Sequence, residues 1–161
     1  MPETESYQLT HRYTHDAGRV HLSGIQAMAR LPIEQVRADL ARGHRTAAFV
    51  SGYPGSPLGG FDTTMAQAAS ATPELDITLR PALNEEFGAT AIMGTQLAAS
   101  RPDARVDGVV GFWYGKAPGL DRASDAIRHA VYAGTSRLGG AVALVGDDPG
   151  AKSSTLPSSS A

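Results

Sequence analysis

Short apolar runs alternate with segments of helical periodicity along this chain, and that alternation constrains its fold more than any other feature. TAAFVS at 46–51, DITL at 76–79, DGVVGFWYG at 107–115 and GAVALVG at 140–146 read as strands. Between and before them, Ile25, Met28, Ala29, Ile33, Val36 and Leu40 recur at helical spacing up to Gly43, with Pro32 expected to break or restart that helix. Phe61–Ala71, residues 84–100 and Asp121–Ala133 read as three further helices. Strands alternating with helices predict an α/β fold: a mostly parallel sheet with helices on both faces. GRVHLSG at 18–24 reads as a short edge strand or as loop.

With 161 residues the chain fits one domain and can bury a sizeable core. Residues 1–18 are polar and without period, so they read as an arm; 19–157 form the domain, and 158–161 a truncated tail of linker composition. The formal net charge of -2, with no basic run, argues against nucleic-acid and membrane-surface partners. No apolar run approaches the ~20 residues of a membrane span, and the acidic, polar start lacks the features of a secretory signal, so a cytoplasmic location is expected. The absence of cysteine removes disulfides, thiolate nucleophiles and cysteinyl iron–sulfur ligation from this chain.

In parallel sheets, ligands sit beyond the carboxyl ends of strands. Four polar or glycine-rich segments fall there: GYPGSPLGG at 52–60, the start of NEEFGATA at 84–91, YGKAPGLDR at 114–122 and GDDPGAKSST at 146–155. They are expected to crowd one edge. The first packs four glycines and two prolines into nine residues around one hydroxyl, Ser56, which suits a rigid loop whose backbone a ligand must approach.

Several near-motifs fail on chemistry. GDDPGAKS at 146–153 departs from a phosphate-binding loop at Ala151, and Asp147 and Asp148 would repel a polyphosphate there. Neither Ser56 nor Ser136 has the flanking glycines of a hydrolase nucleophile turn. His11 and His15 have the spacing of helical metal ligands, but their polar surroundings favour a solvated arm. Trp113 and Tyr114 read as core or pocket-wall residues.

Glu85 follows Asn84, a good N-cap, at the head of a helix rich in Gly and Ala. An acid there complements the helix dipole, which is an ordinary structural role. Its neighbours give it a second reading. YPGSP at 53–57 resembles the Tyr-Pro-Ile-Thr-Pro loop of the 2-oxoacid:ferredoxin oxidoreductases. NEEFGATAIMG is similar to their helix carrying the glutamate that binds the pyrimidine of thiamin diphosphate. GDDPGAKSS is similar to the Asp-Asp-Pro-Gly-x-x-Ser-Ser segment of the indolepyruvate ferredoxin oxidoreductases. The likeness is to the amino-terminal pyrimidine-binding domain of the long fused form, and it covers about residues 5–157.

The resemblance implies oxidative decarboxylation of an aryl 2-oxoacid to an acyl-CoA, with electrons passed to ferredoxin. It places Glu85 as the catalytic carboxylate on the cofactor pyrimidine and Ser56 on the substrate. Gly52, Tyr53, Pro54 and Gly55 join Glu85 at the cofactor, with Lys116, Asp147 and Asp148 as further pocket residues. Glu86, about a hundred degrees round the helix, is the rival carboxylate. The cofactor requires Mg²⁺ and a diphosphate-binding domain, and the electrons require [4Fe-4S] clusters. The chain carries no Gly-Asp-Gly motif with a suitably spaced Asn for the first and no cysteine for the second. It is therefore expected to be a fragment or truncated product of a homo-oligomeric enzyme, inactive in isolation. The alternative is a non-catalytic remnant or assembly module with the same fold.

Overall fold

A computed structural model describes residues 7–55 and 57–147. The sequence-predicted alternation is present. Strands β1 (Thr46–Gly52), β2 (Ile77–Leu79), β3 (Gly108–Lys116) and β4 (Gly140–Gly146) form one all-parallel sheet in the order β2-β1-β3-β4. Among the described residues five α-helices accompany it: α1 (His11–Thr14), α2 (Gly24–Ala41), α3 (Phe61–Ala71), α4 (Glu85–Thr95) and α5 (Ala117–Ala133). None is long and apolar enough to cross a membrane.

The two-residue period of a strand sorts the side chains. Phe112 and Tyr114 of β3 point to one face, where they join Ala48 and Val50 of β1 beneath α2 and α3. Trp113, between them, points to the other face and packs with Ala89 and Ile92 of α4 and Ala123 of α5. The α2–α3 face closes over bulky residues; Ile33, Phe61 and Met65 are wholly buried. Burying each such side chain contributes ~1.5–3 kcal/mol relative to exposure.

Local chemistry sets the helix limits. Ser23 Oγ accepts the Gln26 amide while Gln26 Oε1 accepts the Ser23 amide, a capping box that starts α2. GRVHLSG is thus the lead into that cap and not a strand. Gly43, at φ 81°, carries the chain out of α2 in the left-handed conformation that a side chain disfavours. Pro32 does not break α2. It deletes one backbone bond, but its ring is buried beside Ile33 and Val36, and core contacts hold the helix on both sides. Helix α5 begins at Ala117, four residues before the expected start at Asp121, because Pro118 is tolerated in a first turn whose amides lack partners anyway. Helix α4 stops at Thr95, short of the expected Ser100, and a single 3₁₀ turn at Ala98–Ser100 follows.

The amino-terminal segment is docked onto the domain. Arg37 of α2 donates to the carbonyls of Tyr13 at 2.9 Å and Thr14 at 3.1 Å, and Arg30 donates to those of Arg12 and His15. Glu34 holds both guanidiniums in place. Tyr13 is buried in the α2–α3 core, and that burial raises its phenol pKa against the lowering effect of Arg12.

Candidate functional site

The sheet register carries β1, β3 and β4 to a common carboxyl edge. Gly52 pairs with Tyr114, and Lys116 with Gly146. The glycine-proline loop leaves from Gly52 and is anchored to its neighbours. The Tyr53 amide donates to the Tyr114 carbonyl at 3.1 Å, and the Ala82 amide donates to the Gly52 carbonyl at 2.8 Å. Its far end lies over β4, since a Cβ on Gly146 would meet Leu58 Cγ and Pro57 Cδ at 2.9 Å. Gly55 passes beside Lys116: a Cβ at 55 would lie 3.4 Å from Lys116 Cβ. Tyr53 is partly exposed, whereas Leu58 is buried and pins the loop to the core.

Helix α4 arrives at the same edge. Asn84 Oδ1 accepts the Phe87 amide at 2.9 Å, the cap expected from the sequence. The Trp113 indole donates to the Glu85 carbonyl at 3.0 Å, which fixes the helix start against β3. One turn on, Gly88 abuts β1 so closely that a Cβ there would be 2.9 Å from the Gly52 Cα. The small residues at 88 and 52 therefore bring the head of α4 within backbone contact of the loop's origin.

The two carboxylates of α4 part company. Glu86 is exposed and reaches Arg122 of α5 at 3.8 Å. Glu85 is half-buried, and its side chain lies along the first turn of α5; a Cβ on Gly119 would be 2.5 Å from Glu85 Cγ and 2.7 Å from Oε1. Gly119 is thus the notch that admits this carboxylate. Among the described residues the Glu85 carboxylate forms no ion pair and no side-chain hydrogen bond, in contrast to its neighbour.

Of the residues singled out from sequence, Gly52, Tyr53, Pro54, Gly55, Glu85, Lys116 and Asp147 all occur at or just beyond this edge. Ser56 and Asp148 lie outside the described residues. The YGKAPGLDR segment, expected as an open strand-end stretch, is the end of β3 running straight into α5. Its contribution to the edge is therefore a helix start. Trp113 and Tyr114 are buried as expected, on opposite faces. Among the described residues no group of three or more His, Asp or Glu side chains could hold a metal ion. His11 and His15 stack their rings at a centroid distance of 4.2 Å, and His11 Nδ1 accepts the Gln8 amide.

Two features lay beyond sequence reasoning. Gly119 gave no signal as a carboxylate notch, because its role depends on how α4 and α5 meet. Tyr114 is buried, its hydroxyl without a partner among the described residues, and burial pushes its phenol up to about 12, with the negative charge of Asp62 adding to the rise. No protein-family model, curated protein or solved structure matches the chain.

Proposed function

We propose that this chain forms the pyrimidine-side wall of a thiamin diphosphate site in an enzyme that oxidatively decarboxylates an aryl 2-oxoacid of the indolepyruvate type. One observation carries the reading: the Glu85 carboxylate is half-buried, without a side-chain partner among the described residues, and held in the Gly119 notch beside the glycine-proline loop. An acid serving only the helix dipole has no need of such a notch, and Glu86 fills the surface role.

In this reading the residues fit a flat heteroaromatic ring. Glu85 would accept a hydrogen bond from a ring nitrogen, and an ionised acceptor in a partly dry site makes a strong one. The backbone at Gly52–Gly55 would border the ring, with Tyr53 as its exposed wall and Ser56 offering a hydroxyl to the substrate. Lys116, Asp147 and Asp148 would line the outer part of the pocket. When bound, thiamin diphosphate supplies the carbanion chemistry that decarboxylation of a 2-oxoacid needs. Glu85 would hold the proton-sharing contact, and the loop would border it. The reading assigns Mg²⁺, the diphosphate cradle, the [4Fe-4S] clusters and the contacts to coenzyme A and ferredoxin to other domains of a cytoplasmic, homo-oligomeric enzyme.

The test is amide-resolved NMR of the chain titrated with 4-amino-5-hydroxymethyl-2-methylpyrimidine. Shifts are expected at Gly52, Tyr53, Gly55, Phe87 and Gly88, saturating at ~1–10 mM, as suits so small a fragment. Glu85→Gln should abolish them and Glu86→Gln should not. Shifts elsewhere, or an unaffected Glu85→Gln, would overturn the reading. The alternative of a non-catalytic assembly module draws on the exposure of Val131, Tyr132 and Val142. It predicts no response to the pyrimidine.

A further inference from the structure

The residue that aims the Glu85 carboxylate stands on β3. The sequence GFWYG at 111–115 puts Gly111, Trp113 and Gly115 on one face of that strand, two residues apart. The glycines leave the sheet surface bare on either side of the indole, and each takes a neighbour. A Cβ on Gly111 would strike Ile92 Cγ2 of α4. One on Gly115 would meet the Trp113 ring, at 2.5 Å from Cη2 and 2.7 Å from Cζ2. The indole therefore lies along the strand, its benzo edge over Gly115 and directed to the carboxyl end of β3. Laid down that way, it carries its N–H to the Glu85 carbonyl at 3.0 Å.

Packing alone does not set this position. Trp113 is buried, yet with Ala89 and Ile92 it also borders a cavity of about 450 Å³ between α4, α5 and β4. A full core fixes side chains by volume. Beside a cavity, ring and helix have space to slide, and a directional bond decides where they stop. The indole has one N–H to give and accepts nothing, so its single bond goes to α4. Glu85 is the first residue of that helix. Holding its peptide plane holds the Cα–Cβ bond that carries the carboxylate into the Gly119 notch.

We propose that Trp113 is a positioning residue for Glu85: its N–H bond sets α4 at the depth where the carboxylate enters the Gly119 notch beside the glycine-proline loop. Its part in cofactor binding rests on the Glu85 reading above; its placement of the carboxylate does not.

Trp113 is the only tryptophan, so biosynthetic replacement by 3-benzothienylalanine exchanges one N–H for sulfur and leaves the rest of the chain unchanged. The first readout needs no ligand: the NMR cross-peak between Glu85 Hγ and Gly119 Hα. It is expected in the parent and mostly lost in the replaced protein. In parallel, 4-amino-5-hydroxymethyl-2-methylpyrimidine should bind the replaced protein about three- to tenfold more weakly, as for loss of one hydrogen bond. Gly115→Ala keeps the donor but displaces the ring, and should shift the indole N–H signal and lose the cross-peak as well. Ile92→Val loosens the same cluster without touching the donor, so it should lower the unfolding midpoint and keep both cross-peak and affinity. A purely packing role for Trp113 would not produce that split. The proposal is overturned if the cross-peak is absent from the parent, if it survives in the benzothienyl protein, or if Ile92→Val loses as much of it. Parent-like pyrimidine affinity in the benzothienyl protein overturns it too. A parent that shows the cross-peak but binds no pyrimidine overturns the Glu85 reading instead, and the cross-peak still decides whether Trp113 places the carboxylate.

Discussion

The α2–α3 face and the α4–α5 face of the sheet cover the same central strands with different material. On the first, Ile33, Phe61, Met65 and Tyr114 are wholly buried between helix and sheet. On the second, Gly88 meets Gly52, Ile92 fits over Gly111, and Gly119 accepts Glu85, so helices approach through glycine and alanine. Close approach of backbones leaves little side-chain volume to fill the flanks, and a cavity opens beside β4. The contrast teaches that one face is closed by bulky side chains while the other, built by close backbone approach, leaves a notch for a carboxylate and a cavity.

The strongest way to break that division is to hollow the filled face. Phe61→Ala should cost ~3–5 kcal/mol, because a wholly buried ring with no room to collapse leaves a cavity. Ile92→Ala, on the face that already holds a cavity, should fall near the low end of the usual range, about 2 kcal/mol. Denaturant midpoints measure both; equal losses would show that the two faces carry equal weight.

Tyr114 sharpens the comparison through pH. Its phenol titrates at about 12 in the fold, against ~10 in an unfolded chain. Between those values the unfolded state releases a proton that the folded state keeps. The stability tied to this group is thus whole below pH ~10 and declines as pH rises towards 12, by about 2 kcal/mol. Tyr114→Phe should lose less stability than the parent over that window. At neutral pH it should match or exceed the parent, since the hydroxyl it removes has no partner among the described residues. Parallel stability–pH curves for the two proteins would contradict the burial of this ring.

The smallest stability effect belongs to the notch. A methyl at Gly119 would press on Glu85 Cγ and Oε1, the movable end of a half-exposed side chain. Gly119→Ala should therefore shift stability by under ~1 kcal/mol, yet displace the carboxylate and remove the pyrimidine-induced shifts at Gly52 and Gly88. A large loss of stability would mean that Gly119 supports the helix packing itself.

Helix and strand order, the parallel sheet and the convergence of GYPGSPLGG and Asn84–Glu85 on one edge were legible from the sequence. Each rests on local periodicity, capping residues and a general rule about strand ends. The separation of Glu85 from Glu86 was legible as well, since adjacent helical residues point about a hundred degrees apart. Other features were decided only by the tertiary structure. Pro32 stays helical because the core holds its ring, and the polar segment around Tyr13 docks because Arg30 and Arg37 reach its carbonyls. Gln96, read as one more residue of a longer helix, became the buried link between two strand starts. The Gly119 notch shares that origin. Each depends on residues distant in sequence meeting at a helix crossing or a strand start, and a one-dimensional pattern encodes no such meeting.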